Sequence, residues 1–149
     1  MTLIADIAVR SPDGRLQLVV EVKASSSIDE QWASKYRRNL FAHSMLRDAQ
    51  FFMLVSSKHI YLWTNIAGMD VVLPEYQANT SQLLDSYFRY SSSSTEAASE
   101  FSLEIAAAAW LNDVILSIPS AEELKIPLIS DSGLYQAIRG GFLETEVDL

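Results

Sequence analysis

Apolar residues alternate with polar or small ones over 3–9 and again over 16–23, and Ser11-Pro12-Asp13-Gly14 lies between the two runs. Asp-Gly between β-rich runs is a strong hairpin signal. With Asp13 and Gly14 as the two loop residues, Ala5 faces Val22, Ile7 faces Val20 and Val9 faces Leu18, one wholly apolar side. The reverse side pairs Ile4 with Lys23, Asp6 with Glu21 and Ala8 with Val19. A three-residue loop would instead move Asp6 to a diagonal position.

Ser25-Ser26-Ser27 then leads into a predicted helix over 28–46, with Ser27 and Glu30 placed as a capping box. Trp32, Tyr36, Leu40 and His43 form its apolar stripe, while Gln31, Lys35 and Arg38 share another face with Arg37 beside it. Residues 51–56 and 59–63 read as strands joined by a tight Ser57-Lys58 turn. The order strand, strand, helix, strand, strand is a mixed α/β unit in which the helix lets its flanking strands lie parallel.

Beyond Trp63 the pattern turns helical. A short helix is expected over 79–90, a linker at Ser91–Ser94 and a long helix over 95–117. That helix has two apolar stripes, Phe101, Ile105 and Ala108 on one and Leu103, Ala107, Trp110 and Val114 on the other. It is therefore either buried or half of a homo-oligomer contact, and the Ala106–Ala109 run suits close helix packing. A capping box from Ser120 to Glu123, a break at Pro127, a short helix at 133–139 and a Gly140-Gly141 stop precede an acidic tail. The expectation is one domain over 1–149, with a core over 1–65 and a mainly helical extension over 66–149.

Composition narrows the chemistry. A chain of 149 residues, 49% hydrophobic and 20% charged, suits a folded domain, and its lack of cysteine excludes a disulfide scaffold. With no Cys and only His43 and His59, zinc fingers, Cys-His nucleophile pairs and His-Glu-x-x-His metalloprotease helices are excluded. Five scattered glycines form no phosphate-cradling loop. No export signal or membrane span is visible, so a soluble cytoplasmic protein is expected. The net charge of −8 argues against a nucleic-acid partner until it is resolved by position. Residues 1–58 carry eight cations against six anions, whereas 59–149 carry three against thirteen. The first part is mildly cationic and the acid is concentrated in the second.

The local conflict with most chemical content is Asp6 opposite Glu21. Like charges across strands are destabilising, and they become favourable when a divalent cation sits between them. Lys23 projects from the same face, two residues on. Asp6, fourteen intervening residues and Glu21-Val22-Lys23 resemble the signature of the PD-(D/E)XK nuclease superfamily, over roughly residues 3–63. The resemblance implies a restriction-endonuclease-like α/β fold, a mixed sheet flanked by helices, here with a helical C-terminal segment. It implies that Asp6, Glu21 and the Val22 carbonyl ligate Mg²⁺ or Mn²⁺, and that Lys23 orients the attacking water and stabilises the developing charge. Electrostatic stabilisation is the expected main role for a Lys among carboxylates. Gln31, Lys35, Arg37 and Arg38 on the following helix would meet phosphates of a nucleic acid, expected to be DNA.

Two departures accompany the resemblance. Ala5 stands where the family usually has Pro, and the helix with which the fold normally begins, often bringing a further acid, has no counterpart ahead of Asp6. A C-terminal helix, a partner chain or a reduced fold would each account for this. The competing explanation of Glu-x-Lys is a solvated strand edge, and Glu123-Leu124-Lys125 is such a match with no strand around it. Tyr61, Trp63, Phe51 and Phe52 are expected in the core, and His43 and His59 as packing or surface residues. The resulting expectation is a Mg²⁺-dependent nuclease; the alternative is a binding or assembly module that keeps the architecture without cleaving.

Overall fold

The computed structural model describes residues 4–43, 48–64, 70–88 and 95–149. Among these residues six strands form one sheet: β1 (Ile4–Arg10), β2 (Leu16–Lys23), β3 (Phe51–Ser56), β4 (His59–Thr64), β5 (Tyr76–Asn79) and β6 (Phe142–Asp148). Their order is β5-β4-β3-β2-β1-β6. Only β2 and β3 run parallel, and between them the chain passes through α1 (Glu30–His43). The other helices are α2 (Thr80–Leu84), α3 (Glu100–Ile115) and α4 (Leu134–Ile138).

The expected hairpin register holds from Ile7↔Val20 to Val9↔Leu18, and a bulge then shifts Arg10 onto Leu16. Gly14 takes the left-handed φ of 87° that the turn requires, and its N–H closes on the Ser11 carbonyl. The bulge absorbs the extra residue of a loop running from Ser11 to Arg15 without disturbing the alternation nearer Asp6.

Both faces of the sheet are covered, which explains why its central strands are apolar throughout. On one face Ile28, Ala33 and Phe41 meet Val19, Phe52, Leu54, Tyr61 and Trp63. Phe41 packs edge-on against Phe52 at 6.2 Å. On the other, α2, α3 and α4 lie over Ile7, Val20, Met53 and Leu62. Tyr61, Trp63, Phe51 and Phe52 are therefore core residues, as expected.

Helix α1 departs from its predicted stripe. Its buried line is Ala33, Arg37 and Phe41, and Trp32 is 45% exposed. Arg37 is fully buried, with its guanidinium 4.0 Å from the Phe41 ring centroid and 5.8 Å from that of Trp63. A planar, weakly hydrated guanidinium stacks on aromatic faces in a way that the apolar-stripe rule does not anticipate. The cap also differs: Asp29 accepts the Trp32 N–H at 2.8 Å, while Ser27 bonds with Ser25. The His43 side chain, the stretch 44–46 and the Ser91–Ser94 linker lie outside the described residues.

In the second half, the helix expected at 79–90 is reduced to α2 followed by a 3₁₀ turn at Asp85–Phe88, and the long helix begins at Glu100, capped by Ser99. Of its two stripes, Leu103, Ala107, Trp110 and Val114 are buried, whereas Phe101 and Ile105 are 70% and 53% exposed. The extension is not merely helical. The acidic tail is strand β6, paired with β1 from Ile4↔Asp148 to Arg10↔Phe142. Gly141 makes that docking close: a Cβ there would lie 2.0 Å from the Arg10 carbonyl oxygen.

Candidate metal centre

Strands β1 and β2 part at Asp6 and Glu21, and their carboxylates take over from the ladder. The Asp6 N–H donates to Glu21 Oε2 at 3.0 Å, and the Val22 N–H donates to Asp6 Oδ2 at 2.8 Å. The fork also changes faces. Ala5 packs in the core under α1, although Ile7 and Val9, two and four residues on, pack under α3. The expected apolar pair Ala5–Val22 is thus split between layers, with Asp6 at the change of face in β1.

From the α1 side, the Tyr36 hydroxyl donates to Glu21 Oε1 at 3.3 Å. Lys23 Nζ lies 5.3 Å from the Tyr36 ring centroid, a cation held against an aromatic face beside the acids. From the opposite side come two carboxylates that the sequence reading did not include, Glu104 on α3 and Glu146 on β6. Oxygen atoms of Asp6, Glu104 and Glu146 all lie within 4.8 Å of one another. Glu100, one turn earlier on α3, accepts the Ala24 N–H at 3.4 Å just past the end of β2.

This concentration of acid has an electrostatic signature. Burial, aided by the nearby Asp6 charge, pushes Glu21 up to about 7, against the pull of the Asp6 N–H and Lys23. Burial also raises Glu104 to about 7, reinforced by its hydrogen bond with Glu146 and by the Asp6 and Glu146 charges. The same surroundings raise the Tyr36 phenol, burial again leading. Glu21 and Glu104 therefore hold their protons more tightly than ordinary carboxyls do. Glu146 further adopts φ 52°, in the left-handed region that a non-glycine residue enters at a cost.

Among the described residues the carboxylates close enough to share a cation are Asp6, Glu104 and Glu146, oxygen donors that suit a hard divalent ion, and Glu21 stands beside them, accepting the Asp6 N–H. Of the residues singled out in the sequence, Asp6 and Glu21 meet at the fork, Lys23 lies against the Tyr36 ring whose hydroxyl reaches Glu21, and the Val22 N–H is on Asp6. Gln31, Lys35 and Arg38 are exposed on α1. Arg37 is removed from that surface set by its burial beneath the helix. Glu123-Leu124-Lys125 forms a 3₁₀ turn and pairs with no strand, so its match to the motif is coincidental.

No helix among the described residues is long and apolar enough to cross a membrane. The chain matches no family model, no curated protein and no solved structure.

Proposed function

We propose that the chain is a Mg²⁺- or Mn²⁺-dependent nuclease of the PD-(D/E)XK type, hydrolysing phosphodiester bonds of DNA at the fork between β1 and β2. The observation that carries this reading is the convergence of Asp6, Glu21 and Lys23 where the two strands separate, with the β2–α1–β3 crossover behind them. A restriction-endonuclease-like architecture is supported by α3 and β6. They bring a helix acid and an antiparallel strand to β1.

Asp6 and Glu21 would hold the cation with the Val22 carbonyl, and Glu104 and Glu146, whose carboxylates lie close to that of Asp6, would complete or double the site. The cation would polarise the scissile phosphate and lower the pKa of bound water. Lys23 would stabilise charge developing on the phosphate oxygens, its position fixed by the Tyr36 ring beneath it. Tyr36 orients Glu21 through its hydroxyl, and Lys35 and Arg38 contribute phosphate contacts from α1.

One observation favours the rival reading, a nuclease-like binding module. Asp6 and Glu21 already serve the fold by accepting the two backbone N–H groups at the fork. Incubation with labelled single- and double-stranded DNA and Mg²⁺ or Mn²⁺ separates the two. A nuclease gives metal-dependent products that Glu21→Ala and Lys23→Ala abolish. Cleavage that survives both substitutions, or no cleavage by any preparation that binds metal, rejects the assignment.

A further inference from the structure

Trp32 is the exposed outlier among the three tryptophans: Trp63 and Trp110 are fully buried, and Trp32 is 45% exposed. Isolated surface hydrophobics are ordinary, but this one is joined to the candidate centre by continuous contact. Its ring stacks on Tyr36 with centroids 5.2 Å apart and planes 22° from parallel. The Tyr36 hydroxyl in turn bonds Glu21, and Lys23 lies against the same Tyr36 ring. With one face of the indole covered by Tyr36, a flat apolar surface beside the fork is left to solvent.

Charge around the fork is divided by side. The α1 flank carries Lys23, Lys35 and Arg38 against Asp29 and Glu30, a small cationic excess, whereas α3 and β6 carry no cation and hold Glu100, Glu104, Glu144 and Glu146. A duplex centred on the fork brings two phosphate backbones, and the second would run toward the acidic flank. A single strand can follow the cationic flank alone. Its unpaired bases then need a stacking partner, which aromatic side chains provide irrespective of sequence.

We propose that the Trp32–Tyr36 stack is a base platform, and that the substrate of the fork is single-stranded DNA with an unpaired base on Trp32 while its adjoining phosphate reaches Asp6, Glu21 and Lys23. This names the substrate class for the nuclease reading above and rests on it.

Intrinsic fluorescence tests the proposal, because Trp32 is the indole open to a ligand. The intact chain in Ca²⁺ is titrated with short oligo(dT), with an abasic oligonucleotide of equal length and charge, and with a duplex, gels verifying that each probe stays whole. The expected result is saturable quenching of the wild-type indole by oligo(dT), weaker binding of the abasic and duplex probes, and, read by anisotropy of fluorescein-labelled oligo(dT) because the variants lack the reporter indole, roughly tenfold loss of affinity in Trp32→Ala. Trp32→Phe should retain most of the affinity, and circular dichroism checks that both variants fold. Equal affinity for abasic and base-bearing probes, preference for duplex, an unaffected Trp32→Ala, or no binding of any probe overturns the platform. Cleavage kinetics run in parallel keep the two ideas apart. Metal-dependent cleavage with unchanged KM in Trp32→Ala leaves the nuclease and rejects the platform. Trp32-dependent binding without cleavage of any substrate rejects the nuclease and leaves the platform.

Discussion

Replacing Glu21 by Gln should make the metal-free protein more stable at pH 8 and remove its response to divalent cations. Glu21 is 5% exposed, and its carboxyl rises from an ordinary 4.5 to about 7 in the fold. A raised acid binds its proton more tightly in the native state than in the unfolded one. Its cost is absent below pH 4.5, grows as pH climbs toward 7 and is complete above that. A displacement of this size corresponds to about 3 kcal/mol, or roughly 5–10 °C in Tm for a chain of this length. Gln keeps an acceptor for the Asp6 N–H and carries no charge, so its Tm–pH profile should lack this loss. The assay is thermal denaturation of both proteins across pH 4–8 in EDTA and in Mg²⁺. Saturating Mg²⁺ at a hundred times its Kd should return about 2.7 kcal/mol to wild type and little to Glu21→Gln. Parallel profiles for the two proteins, or equal gains in Mg²⁺, would refute the reasoning.

Other perturbations separate structure from site. Glu146→Gly removes both a left-handed backbone penalty and one carboxylate, so the metal-free Tm should correspond to a gain of about 1 kcal/mol while Mg²⁺ affinity measured by calorimetry falls. Gly141→Ala should lower Tm markedly, because its Cβ would meet the Arg10 carbonyl and push β6 from β1; an unchanged Tm would refute that docking. Arg37→Ala should destabilise through lost packing on Phe41 and Trp63, whereas Arg38→Ala should leave Tm within about 0.5 kcal/mol and reduce the salt dependence of DNA binding by about one phosphate contact.

The hairpin register and the crossover were legible because both follow from local pattern: Asp-Gly fixes one, and two strands around an amphipathic helix suggest the other. Asp6, Glu21 and Lys23 were legible for the same reason, being brought together by a single turn. Glu104 and Glu146 depend on contacts across the chain that no local period announces. Signals for them existed all the same. Glu100 and Glu104 are like charges one helical turn apart on a largely apolar helix, a conflict of the kind that singled out Asp6 and Glu21. In 142–148, acids at 144, 146 and 148 alternate with Leu143, Thr145 and Val147, a strand period that the acidic composition obscured. Arg37 was misplaced because charge was equated with exposure, and a guanidinium sandwiched by Phe41 and Trp63 violates that equation.

The nuclease reading of this chain depends on a cation seated at the fork between β1 and β2. The direct measurement is anomalous diffraction at the manganese edge from crystals soaked in Mn²⁺. The account predicts a peak bound by Asp6 and Glu21, with Glu104 or Glu146 at its far side. No peak at the fork, or one that persists there in Glu21→Gln crystals, would contradict it.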